Sequence, residues 1–187
     1  MNIHRQLIAA ACALVLPFAA SAANYSVQSA STLGFTGTFQ GASFDGKFGK
    51  FTAAISYDEA GLATSKFDVD VDLASAKTGD NDRDSALPGA QFFDTGKFPK
   101  AHFITTGFVK NASGVVANGT LTLHGVTKPV TLRARFFGTA TNPMSKKASV
   151  GFLGRIAIKR SDFGVTKYIP LVSDETVLVI NAAFEKQ

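Results

Sequence analysis

Apolar and polar positions alternate along most of the chain with a period of two. The pattern is clearest over Asn118–Phe137, where Leu121 and Leu123 stand against Thr120, Thr122 and His124. After Gly125-Val126-Thr127-Lys128-Pro129 it resumes, with Val130, Leu132, Ala134 and Phe136 against Thr131, Arg133, Arg135 and Phe137. Two such runs about a Gly/Pro-bearing turn predict a β-hairpin. Pro129 has no N–H to give a ladder, so it is expected as the first residue of the second strand.

The same period recurs on both sides of the hairpin. Asn24–Phe39 places Leu33, Phe35, Gly37 and Phe39 on alternate positions. Ser43–Tyr57 changes parity at Gly49, from Phe44, Gly46 and Phe48 to Phe51, Ala53 and Ile55. A bulge there would flip the face. After a turn at Asp58–Gly61, Phe67, Val69, Val71 and Leu73 alternate with Lys66, Asp68, Asp70 and Asp72. Phe103 and Thr105 oppose His102, Ile104 and Thr106. Ser149–Ile158 and Glu175–Phe184 are further strands, whereas Thr139–Lys147 and Arg160–Asp174 read as loops. Thr78–Phe98 breaks the pattern. It predicts a turn, then a short helix over Arg83–Phe93 interrupted at Pro88-Gly89 and capped by Asp82 or Asn81. Phe92, Phe93 and Phe98 are apolar for a surface excursion, which reads as a lid or plug on one end of the fold. About eight strands with one brief helix indicate an all-β fold, a closed antiparallel barrel whose interior suits side chains or one small ligand.

The N-terminus reads as a targeting segment. Arg5, with His4, supplies a basic start, Leu7–Ala20 an apolar run and Ala20-Ser21-Ala22 a cleavage site. The expected division is a cleaved signal peptide over residues 1–22 and one barrel domain over 23–187, exported to an oxidising place. Cys12 follows Ala9-Ala10-Ala11 inside the apolar run, a poor context for lipidation, and it leaves with the signal. The remaining chain has no disulfide, so its core must hold the fold alone. The net charge of +5 drops by one with Arg5. The remaining Lys and Arg are scattered, which argues against nucleic acid as a partner. A mild attraction to anionic head groups, and hence a transient membrane-surface contact, stays open, as does a homodimer.

Aromatic content changes the picture most. All but one of the 17 Phe lie after the signal segment, with three Tyr and no Trp. Phe has no polar handle and goes where water is absent. It either fills a core or lines an apolar cavity. The candidate wall follows from parity: Phe35, Phe39, Phe67, Val69, Val71 and Phe103 from the first half, Leu121, Leu123, Val130 and Leu132 from the hairpin, and Ile156, Ile158, Leu178 and Ile180 from the last strands. The residues alone leave open whether these side chains meet at the centre or enclose a void. Candidate chemistry is sparse. No nucleophile elbow, zincin motif or P-loop is present. His124 reads as a turn residue bonding backbone carbonyls and His102 as an outward or rim residue. Asp68, Asp70 and Asp72 lie along a line and do not converge on a point, so no metal site is expected. Arg160 is expected to pair with Asp162 or Asp84. The alternative is that Arg160, or Arg83, stands at a cavity mouth and meets a polar head group.

Several separated motifs resemble the YceI-like family. They are Gly46-Lys47-Phe48 with Phe51; Arg83-Asp84, then Phe92-Phe93-Asp94 and Phe98-Pro99; the block Gly119–Val130; and Arg160-Ser161-Asp162-Phe163-Gly164. The resemblance implies a lipocalin-like, extended antiparallel barrel, exported to the periplasm. It also implies a long isoprenoid or other lipid-like chain held in an elongated apolar cavity. The expected role is that of a carrier, store or scavenger of such a ligand, with no catalytic step and no cofactor. The competing readings are a small outer-membrane barrel and an enzyme acting on a lipid-like substrate through His124 or Arg160.

Overall fold

The computed structural model describes residues 23–58, 61–111 and 114–187. The expected signal segment, and Glu59-Ala60 of the expected turn, lie outside these residues. The strands are β1 (Ala23–Val27), β2 (Thr32–Phe39), β3 (Ala42–Phe48), β4 (Phe51–Tyr57), β5 (Lys66–Asp72), β6 (Ala76–Lys77), β7 (Lys100–Asn111), β8 (Gly114–Leu123), β9 (Val126–Thr141), β10 (Ala148–Lys159) and β11 (Glu175–Lys186). One short α-helix, α1 (Asn81–Ala86), interrupts them. The antiparallel order β1-β4-β5-β7-β8-β9-β10-β11 closes through β1–β11 pairing into an eight-stranded barrel.

The extra strands are continuations of barrel staves. β11 pairs with β1 at Phe184 and then with β2 from Asn181 to Val177, so β1 and β2 form one interrupted stave. Likewise β3 lies on β2 as β4 lies on β1. The expected parity switch is real: Phe48 and Phe51 both face inward although three positions apart. It is achieved by a two-residue break at Gly49-Lys50, whose N–H groups donate to the Ser75 carbonyl and hydroxyl at 3.1 and 3.0 Å, rather than by a bulge within one strand.

One half of the barrel is fully paired and the other is splayed at two seams. β5 and β7 part beyond Asp72–Lys100, and residues 78–99 fill the gap. β9 and β10 part beyond Leu132–Ile156, and the 3-10 turn Arg160–Phe163 fills that gap with buried Phe163 and Val165. This seam explains Pro129. It is the fourth residue of β9, opposite Thr120, and not its first residue as expected. β10 does not reach that part of β9, so an N–H there has no ladder to join. The hairpin turn is correspondingly tighter than expected. It is two residues, His124 (φ 52°) and Gly125 (φ 75°), the paired positive-φ geometry that suits the twist of a hairpin.

In the paired half, aromatic rings fill the barrel. Phe67 packs on Phe152 (4.7 Å between centroids), Phe108 (5.1 Å) and Phe184 (5.4 Å), and Phe136 stacks on Tyr57 (5.0 Å). A register shift in β7 between Thr105 and Gly107 turns Phe108 into this cluster. The outer face of β5 is polar, as expected: His102 Nδ1 lies 3.0 Å from an Asp70 oxygen and 3.7 Å from an Asp68 oxygen.

Candidate functional site

Above the aromatic floor the splayed half encloses a cavity of about 510 Å³. That volume lies within the ~300–1,000 Å³ typical of small-molecule sites. Phe67, Phe152 and Phe184 form its floor. Its wall takes Phe35 and Phe39 from β2, Val69 and Val71 from β5 and Phe103 from β7. It continues through Leu121 and Leu123 of β8, Leu132 of β9, Ile156 and Ile158 of β10, and Leu178 and Ile180 of β11. These are the residues expected from parity, with one exception. Val130 shares the inward face and packs against the core, but it is not on the cavity wall. It lies on the stretch of β9 beside the seam, where residues 160–165 replace the neighbouring strand. The open question of core or cavity resolves as both: the barrel is filled with Phe at one end and hollow at the other.

Sequence parity missed part of the wall. Phe44, Phe48 and Phe51 line it from β3 and β4, and Leu87, Phe92 and Phe93 cover it from the excursion. The excursion is the expected lid, but α1 starts earlier than predicted and its cap is Asp80, which accepts the Arg83 N–H at 2.9 Å. The turns after α1 carry the phenylalanines. They fold back through the Phe93 N–H to the Leu87 carbonyl at 3.0 Å.

Charged groups gather only at the mouth, where Asp80, Asp82, Arg83 and Arg160 border the wall. Arg83 lies flat over the Phe44 ring, 4.4 Å from its centroid. Its Nε donates to Thr78 Oγ1 at 3.1 Å, and its Nη2 stands 3.5 Å from Asp80. The side chain is part-exposed and borders the cavity. Arg160 differs. It is buried and pairs with neither Asp162 nor Asp84. Its Nε donates to the Ser173 carbonyl (2.7 Å), Nη1 to Val165 (3.3 Å) and Nη2 to both Lys167 (2.9 Å) and Val172 (3.0 Å). Burial lowers its pKa, and nearby Asp174 opposes that shift. By gripping both ends of residues 167–172 it holds the exposed tip Tyr168-Ile169-Pro170-Leu171 at the mouth. There the Gln40 N–H donates to the Leu171 carbonyl at 2.8 Å. Asp84, instead of meeting Arg160, accepts from Thr78 N (2.6 Å) and Oγ1 (2.8 Å), which lowers its pKa.

His124 behaves as a turn residue. Its Nδ1–H donates to the Phe163 carbonyl at 3.2 Å and its ring meets Phe98 at 4.9 Å. It does not line the cavity. No group of three or more His, Cys, Asp or Glu converges as a metal site among the described residues.

Comparison with known proteins agrees with this architecture. The chain belongs to the YceI-like family, whose domain model matches residues 25–184. It is 36% identical over 160 residues to a UPF0312 protein of Vibrio campbellii, covering 83% of this chain and 84% of that one. Among solved structures it is similar to BcnA of Burkholderia cenocepacia (TM-score 0.75, 26% identity, 84% of this chain and 98% of that one). It also shares its fold with a polyisoprenoid-binding domain of Saccharophagus degradans (TM-score 0.62, 18% identity, 89% of this chain and 99% of that one).

Proposed function

We propose that the protein binds one long apolar ligand, of the isoprenoid, isoprenoid-quinone or fatty-acyl class, and carries, stores or scavenges it in the periplasm without a catalytic step. The observation that carries this reading is a hollow, Phe-rich wall with every charge confined to the mouth. Each ligand CH₂ moved from water onto such a wall contributes about 0.8 kcal/mol, so length alone supplies affinity. Arg83, part-exposed where it borders the cavity, is the residue we assign to a polar head group. Arg160 shapes the mouth and has most of its donors committed to carbonyls. The wall residues named above are the proposed ligand contacts. That the same fold serves as a polyisoprenoid-binding domain in Saccharophagus degradans supports this ligand class. The outward positions Asp68 and Asp70 of β5, Arg133 of β9 and Arg155 of β10 are charged within the strands, where a membrane-spanning barrel needs an apolar band.

The test is native mass spectrometry of protein taken from its own periplasm, followed by organic extraction. The expected result is a co-purifying apolar molecule released by solvent. Repeated recovery of empty protein that also takes up no fluorescent acyl or isoprenoid probe would overturn the reading.

A further inference from the structure

A second surface lies outside the barrel. β8, β9 and β10 contain no carboxylate, yet they carry Lys128, Arg133, Arg135, Arg155 and Lys159. Arg133 and Arg155 sit directly opposite each other across the β9–β10 pair, and Arg135 stands opposite Leu153 one row away. All three arginines are exposed, and among the described residues none has a carboxylate partner. Like charges facing each other across a strand pair are destabilising. β5, on another part of the barrel, shows the opposite arrangement, with Asp68 and Asp70 met by His102 and Lys100. Large apolar side chains stand among the arginines. Phe137 is 57% exposed beneath the Arg135 guanidinium (5.3 Å), and Leu153 is 40% exposed. A shallow groove of about 280 Å³ runs between Arg133, Arg135, Arg155, Val116 and Val179.

We infer that this wall docks the barrel on an anionic bilayer surface, the arginines taking lipid phosphates and Phe137 and Leu153 entering between head groups. Charge complementarity carries the assignment: a carboxylate-free face with repelling arginines is relieved by an array of phosphates, which Arg meets bidentately. The exposed apolar side chains favour a lipid surface over an acidic protein or a soluble polyanion, because they are stabilised by leaving water for the acyl boundary. This docking is independent of what fills the cavity, and its test reads the outer surface alone.

The experiment is sedimentation of full-length mature protein with vesicles of pure phosphatidylcholine and with vesicles containing phosphatidylglycerol. Binding is expected only to the anionic vesicles and is expected to fall as salt is raised. Each basic side chain at such a surface is worth about fivefold in affinity, so Arg133→Gln/Arg135→Gln/Arg155→Gln should weaken binding by about a hundredfold. Phe137→Ser should weaken it severalfold while leaving the salt dependence intact. Near-UV circular dichroism and probe uptake into the cavity should match the parent, showing that the variants fold. The inference is overturned if the triple variant sediments like the parent. It is equally overturned if phosphatidylcholine binds as well, or if heparin is bound and vesicles are not.

Discussion

Arg160 donates to the carbonyls of Val165, Lys167, Val172 and Ser173 and thereby sets the conformation of the whole 164–173 segment. Arg160→Met leaves those acceptors without a donor. An orphaned acceptor costs about 1–3 kcal/mol and these are partly hydrated, so we expect a loss of about 3 kcal/mol by urea unfolding. Hydrogen exchange should quicken at residues 164–173. Arg160→Lys should recover little, because an ammonium cannot fork across four carbonyls. Asp174 supports the same segment, accepting from Ser161 Oγ (2.7 Å) and N (2.8 Å), which holds its carboxyl below the ordinary value. A depressed carboxylate stabilises the fold fully above the unfolded pKa of about 3.9 and loses that contribution as pH falls through its folded value. Melting temperature against pH should therefore fall less steeply on the acid side in Asp174→Asn, with no difference in slope between pH 5 and 8.

At the level of single elements, the β8–β9 hairpin depends on its two-residue turn. A Cβ on Gly125 would lie 2.5 Å from Phe98, at φ 75°. Gly41, in the β2–β3 turn, has φ 83° and open space around it. Both Gly→Ala variants incur the left-handed backbone penalty of about 1–2 kcal/mol. Only Gly125→Ala must also displace Phe98. We expect it to be the more damaging of the two in thermal melts and to loosen the excursion that covers the cavity. The hairpin was legible from alternation because Leu121, Leu123 and Leu132 obey period two without interruption. Its turn was misplaced by the expectation that Pro129 begins a strand, which assumes that both edges of that strand are paired. One of them is not.

For the molecule as a whole, the two halves of the barrel should respond oppositely to added bulk. Leu178 borders the void, whereas Ala117 is fully buried away from it, across from Leu132. Overpacking a filled interior costs about 1–3 kcal/mol. Ala117→Leu should therefore lower the unfolding midpoint, while Leu178→Trp should leave it unchanged or raise it and abolish uptake of an apolar probe. Equal destabilisation by both would mean that the interior around Leu178 is already full.

What the sequence determined by itself was the class of fold and most of the inward face. Strand parity is a local property, so Phe35, Phe67, Phe103 and Leu178 point inward whatever the neighbouring staves do. The carboxylate-free run from β8 to β10 was equally present in the sequence, but its meaning was not. Only strand register puts Arg133 opposite Arg155. The tertiary structure alone decided that the barrel is hollow at one end. The void exists because β5–β7 and β9–β10 separate and segments 78–99 and 160–165 fill the seams. Such separations depend on pairings between residues distant in the chain. The same long-range closure gives Arg160, a residue bordering the cavity, its role as the clamp of the mouth, since the carbonyls it grips converge only after residues 164–173 fold back across β2.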